Sequence, residues 1–89
     1  MLRLAGLTVA TIEEDSEYFG EVRGVQVTDV KTGSFPELVG FLPGDIITAV
    51  EDAKVRKLDD VVRLTKDKKA KFDMHVSRKG TPVIVRYPL

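Results

Sequence analysis

The chain has 89 residues, enough for one hydrophobic core and too few for two, and its 43% hydrophobic and 31% charged content is that of a globular domain rather than a disordered chain. Fourteen Lys and Arg cancel fourteen Asp and Glu, whereas a nucleic-acid binder needs a basic excess to neutralise phosphates. The absence of cysteine excludes disulfides, thiolate nucleophiles and thiolate metal sites, and leaves the redox compartment open.

No stretch approaches the roughly 18 apolar residues that cross a bilayer, and Met1 to Gly6 is too short for the apolar core of a signal peptide. The expectation is therefore a cytosolic protein or a piece cut from a larger exported one, with no membrane insertion by this domain.

Taken in chain order, Gly6 stands before a segment in which Leu7 and Val9 point one way and Thr8 the other, a half-buried strand. Glu13 to Glu17 is acidic and leads into Tyr18, Phe19 and Gly20, which reads as a short helix with acids at its favourable end. Gly24 to Val30 alternates cleanly and predicts a strand with Val25, Val27 and Val30 mostly inward and a break near Asp29. Lys31 to Ser34 is a turn, with Ser34 placed to cap a helix from Phe35 to Val39 that tolerates Pro36 in its first turn and stops at Gly40.

Leu42-Pro43-Gly44-Asp45 fits a type II turn, because Pro43 presets the second position and Gly44 supplies the positive φ of the third. A strand from Asp45 to Val50 follows; residues 51–54 turn the chain, and Val55 makes a brief extended contact. Apolar residues at 58, 61, 62 and 64 predict an amphipathic helix from Leu58 to about Lys66, with Asp59 and Asp60 in the first turn, where the helix dipole favours them. Phe72, Met74 and Val76 alternate with Asp73, His75 and Ser77 in a strand. Residues 78–81 then form a hairpin that returns into a strand over Val83 to Tyr87.

The combination of Gly24-Val25-Gln26-Val27, Gly33-Ser34, Gly40-Phe41-Leu42-Pro43-Gly44-Asp45-Ile46-Ile47, Leu58-Asp59-Asp60-Val61 and Val76-Ser77-Arg78-Lys79-Gly80 resembles PDZ domains of bacterial type, most closely those of HtrA/Deg serine proteases. The resemblance covers nearly the whole chain and is specific as a combination. It implies a mainly β fold with two helices, a partly open barrel or sandwich of roughly five to six strands. On this reading residues 1–89 are a single peptide-binding domain, a piece of a larger protein. Gly40 and Gly44 are then architecture, and Asp45 bonds nearby backbone amides.

The resemblance also implies a site. Leu4-Ala5-Gly6-Leu7 is similar to the short loop in which PDZ domains hold a peptide's terminal carboxylate with converging backbone N–H groups. The peptide backbone then pairs along Leu7, Thr8 and Val9, adding a strand to the sheet. The plainer alternative is that a glycine ahead of a strand is only a bend. Across the groove, Leu58, Val62 and Thr65 share one face of the second helix and would meet the peptide's side chains, while Val61 and Leu64 face the core. Many PDZ domains that select a hydroxyl two residues before the peptide end begin this helix with histidine; Leu58 in that place implies an apolar preference. The alternative reading is that Leu58 and Val62 are ordinary core residues.

Other chemistry has little support in the residues. His75, the single histidine, lies on one strand with Asp73 and Ser77, successive same-face positions are roughly 7 Å apart, and this does not arrange a proton relay. No nucleophile-elbow, metal-helix or phosphate-loop spacing occurs. The basic run from Lys66 to Lys71 reads as a solvated helix end.

The expected function is thus a non-catalytic module that binds C-terminal or extended apolar polypeptide segments, with no cofactor and no metal. It would serve an HtrA/Deg-like protease as substrate-binding or regulatory domain, which would place it in the cell envelope or periplasm. The alternatives are an intramolecular scaffold or oligomer contact, or the PDZ domain of a site-2 protease, a C-terminal processing protease or a secretion-system subunit.

Overall fold

Period-two alternation of apolar and polar residues builds most of this molecule, and two short helices close over the face that alternation makes apolar. A computed structural model of the chain describes residues 2–4, 6–12, 24–66 and 72–87. In chain order the elements are β1 (Leu2–Leu4), β2 (Leu7–Thr11), β3 (Val25–Val30), α1 (Phe35–Val39), β4 (Ile46–Val50), β5 (Ala53–Lys54), α2 (Leu58–Thr65), β6 (Phe72–Arg78) and β7 (Thr81–Tyr87). The acidic helix expected around residues 13–20 and most of the basic run at 66–71 lie outside the described residues.

The strands form one antiparallel sheet in the order β1-β2-β3-β4-β6-β7, with β5 paired to β4 off this path. The path does not close on itself, in keeping with the expected partly open, mainly β fold with two helices. A bulge between Thr8 and Val9 sets Thr8 opposite Asp29 and Val9 opposite Val27. It keeps Val9, Val25 and Val27 on the buried face together, each without exposed surface. In β6 the expected alternation is realised: Phe72, Met74 and Val76 are buried and Asp73, His75 and Ser77 half-buried.

Both helices follow from local chemistry. The Ser34 hydroxyl accepts from the Glu37 N–H at the start of α1, and Gly40 ends it in the left-handed conformation. In α2, Val61 is wholly buried, while Leu58 and Leu64 pack partly on the core. Burying Val61 alone contributes about 1.5–3 kcal/mol. The start of α2 is held by Asp60, whose Oδ2 accepts from the N–H groups of Arg56 (2.9 Å) and Lys57 (3.2 Å). Arg63 donates to its Oδ1 at 3.1 Å. The Arg56 N–H foremost, and then the Arg63 guanidinium, hold the Asp60 carboxyl below its usual value.

Gly44 takes φ +96° in the turn before β4, and the Asp45 N–H closes that turn on the Leu42 carbonyl at 3.1 Å. Asp45 is buried, yet no polar atom of it goes unmet. Its Oδ2 accepts from the Leu42 N–H at 3.0 Å, as the sequence led us to expect of a nearby backbone amide. The sequence reading lacked its second partner: Arg78 Nε and Nη2 grip Oδ1 and Oδ2 at 2.9 and 2.8 Å, and Nη2 also donates to the Gly40 carbonyl at 2.8 Å. One guanidinium thereby ties the end of α1, the turn and the head of β4 to the end of β6.

Two outcomes follow from these anchors. Arg78→Met leaves a buried carboxylate with only an amide partner and is expected to destabilise by about 3 kcal/mol, the low end for a broken buried pair because Arg78 is partly open to water; an unchanged chemical-denaturation midpoint would contradict it. For Asp60 the lowered carboxyl value means that its stabilisation is fully present above the unfolded carboxylate value, about pH 4, and is lost as pH falls through the folded one. Asp60→Asn should therefore melt below the parent at pH 7, with the difference narrowing below about pH 3.

Candidate functional site

The residues singled out ahead of β2 meet at one end of the sheet. Leu4 closes β1 opposite Leu7, the first residue of β2; Ala5 lies outside the described residues. Gly6 has φ +103°, and a Cβ built there would stand 2.6 Å from the Ser34 Cβ, so both its backbone angle and its approach to the head of α1 demand glycine. The Gly6 carbonyl accepts from the Lys31 N–H at 2.8 Å. Since the peptide groups are trans, the Leu7 N–H points the opposite way, away from β3 and toward the other edge of β2. That is the direction in which the expected carboxylate site requires a donor.

Charge around this end is favourable to an anion. Arg3, Lys31 and Asp29 border a shallow depression with Gly6 and Thr8, leaving one net positive charge beside the loop. Neither cation was among the residues singled out from sequence. Their spacing along the chain carries no signal, and they come together only because β1, β2 and the end of β3 lie side by side.

Along β2, Leu7 and Val9 point into the core and Thr8 is half-buried. The strand pairs with β3 on one edge and with β1 on the other, through Leu2↔Val9, Arg3↔Thr8 and Leu4↔Leu7. A paired β1 was not part of the sequence reading, which assigned Leu4 only to a loop.

The second helix packs against β2 and β4. Val62 is 37% exposed, the most accessible of the three residues expected to face a ligand. Leu58 is half-buried and packs partly against the core. The half-buried Thr65 donates its hydroxyl to the Val61 carbonyl at 2.6 Å, a helix-internal bond that leaves its methyl as the freer end.

His75 sits elsewhere, on β6 between Ala49 of β4 and Ile84 of β7. The Asp73 carboxylate is turned to Arg86 at 3.1 Å. Thr48 meets His75 only through the backbone carbonyl, its hydroxyl donating at 3.2 Å. Among the described residues no group of three His, Cys, Asp or Glu side chains is placed to hold a metal ion.

Comparison with known proteins agrees with this architecture. A search of curated protein sequences returns no match. Among solved structures the chain is similar to the HtrA3 PDZ domain bound to a phage-derived ligand (FGRWV), with TM-score 0.81 and 20% identity over 98% of this chain and 84% of that one. At that identity the likeness speaks for the fold. Residues 26–78, from β3 through β6, match the PDZ domain family directly. That match takes in α1, the Gly44 turn, α2 and the Asp45–Arg78 pair and spans more than half of the sequence: the chain belongs to the PDZ-domain family.

Proposed function

We propose that this domain binds extended polypeptide segments with an apolar C-terminus, holding the terminal carboxylate at Leu4-Ala5-Gly6-Leu7 and pairing the peptide backbone with Leu7, Thr8 and Val9. The observation that carries this reading is the Gly6 geometry. A glycine locked by positive φ and by contact with Ser34 turns the Leu7 N–H outward beside two cations. A carboxylate placed there gains charge-assisted hydrogen bonds from backbone donors that no side-chain motion can withdraw. Leu58, Val62 and the methyl of Thr65 supply the apolar wall across the groove, which favours an aliphatic residue over a hydroxyl two positions from the peptide end.

The PDZ neighbour whose ligand is FGRWV, a sequence ending in valine, supports the same class of partner. We further take the domain to be of the bacterial, HtrA/Deg-like type, a regulatory or substrate-binding piece of a larger serine protease. The HtrA likeness is supported by the match in fold to the HtrA3 PDZ domain, and the bacterial type rests on the motifs quoted above. Membership of the PDZ family supports a recognition role for the domain.

Matched peptides ending in an apolar residue, one with a free carboxylate and one amidated, test this directly. Affinity for the acid should be on the order of micromolar, and amidation should weaken it by about tenfold or more, since charge-assisted hydrogen bonds contribute roughly 1.5–3 kcal/mol. Equal affinities in a calorimetric titration would remove the carboxylate loop from the account. His75→Ala, by contrast, should leave both melting and peptide binding within about 0.5 kcal/mol of the parent; a tenfold loss of binding would reopen a role for the histidine.

A further inference from the structure

A strand has two edges, and both edges of β2 are in use. β3 takes one, and β1 takes the other through three residue pairs that begin at Leu4↔Leu7. The mode of binding just proposed, on which this inference rests, needs that second edge. A ligand whose carboxylate sits at the loop before β2 must run antiparallel to β2, with its C-terminal residue next to Leu7. β1 already does this: it is antiparallel to β2, and its last residue, Leu4, is the one opposite Leu7. Its sequence, Leu2-Arg3-Leu4, has the apolar ends expected of a preferred ligand.

We infer that β1 is a tethered occupant of the peptide-binding edge, and that a ligand pairs with β2 only after β1 has left it. The Leu7 N–H cannot be donated to a β1 carbonyl and a peptide carboxylate at full strength together. Only residues 5 and 6 join β1 to β2, so the effective concentration of the competitor is in the millimolar range or above. β1 is nevertheless only three residues long, and Ala10 and Thr11 of β2 extend past it. A short strand of this kind lowers apparent peptide affinity by the fraction of molecules in which it is released, and does not abolish binding. Whatever pulls on or covers the chain at β1 would then tune the domain's affinity.

The geometry offers a lock. Residues that flank a two-residue connection form the hydrogen-bonded pair, so Leu4↔Leu7 and Leu2↔Val9 are of that kind and Arg3↔Thr8 is the non-hydrogen-bonded pair between them. In such pairs the Cα atoms lie about 4.5 Å apart, within the reach of a disulfide. The chain has no cysteine of its own, so the double variant Arg3→Cys/Thr8→Cys can form only this one bond. The probe is a free-acid peptide FGRWV, the ligand of the PDZ neighbour, titrated into the parent chain, into the oxidised and the reduced double variant and into a variant lacking residues 1–3. Amide spectra of β3, β4 and β6 verify the fold in each.

Binding to the reduced form and to the truncated variant, with the oxidised form at least about tenfold weaker, is the expected result. Equal binding by oxidised and reduced forms overturns the tethered occupant while leaving peptide recognition intact. Failure of the parent chain and of all three variant forms to bind this peptide and other free-acid apolar peptides overturns the recognition reading and the inference with it, and binding by the parent alone overturns the tethered occupant.

Discussion

The bidentate contact between Arg78 and Asp45 is the constraint from which the rest of the structure hangs. Asp45 must be buried, because it caps the turn that redirects the chain from α1 into β4, and a buried carboxylate is tolerated only when its oxygens are fully engaged. Arg78 engages both and reaches the Gly40 carbonyl as well, which fixes the end of β6 against the end of α1. The Arg78 guanidinium is in turn held even more firmly in its charged form by the hydrogen bond to Asp45. With β4 and β6 so aligned, β3 joins at Val25↔Ile47, β2 follows at the bulge, and the head of α1 comes against Gly6.

On the proposed reading this division of labour separates the densest motif in the chain from its site. Residues 40–45 spend their chemistry on two positive-φ glycines and a neutralised carboxylate. The proposed recognition elements are backbone groups at residues 4–9, whose side chains carry almost no distinguishing pattern. Selectivity is proposed to come from α2, where one helix serves two faces: Val61 is committed to the core, Val62 is open, and Leu58 lies between. A ligand meeting that face would compete with nothing but water at Val62, and would share Leu58 with the interior.

Much of the fold was legible because its determinants are local. The α1 cap and stop at Ser34 and Gly40, the Gly44 turn and the alternation of β6 all depend on residues within a few positions of one another. The Arg78–Asp45 pair and the basic rim of Arg3 and Lys31 were not legible, since each joins residues remote in sequence that only the sheet order makes neighbours. β1 is a different case. Leu2-Arg3-Leu4 and Leu7-Thr8-Val9 alternate on either side of an Ala-Gly pair, which is a hairpin signature. Residues 4–7 also resemble a carboxylate loop, so the same stretch carries two competing signals. The same four residues serve the hairpin connection, and they are proposed to serve as an anion site once β1 is away; a local pattern cannot say which use prevails.

The central claim is that one edge of β2 passes between β1 and a peptide. The Thr8 Hα reports this most directly, because in a non-hydrogen-bonded antiparallel pair the facing Hα atoms lie in close contact. In the free protein the account predicts a cross-strand nuclear Overhauser effect from Thr8 Hα to Arg3 Hα, following the observed pairing. With an isotope-labelled, free-acid peptide at saturation, that signal should vanish and be replaced by one from Thr8 Hα to the peptide. A Thr8–Arg3 signal that persists at full strength in the saturated complex would contradict it.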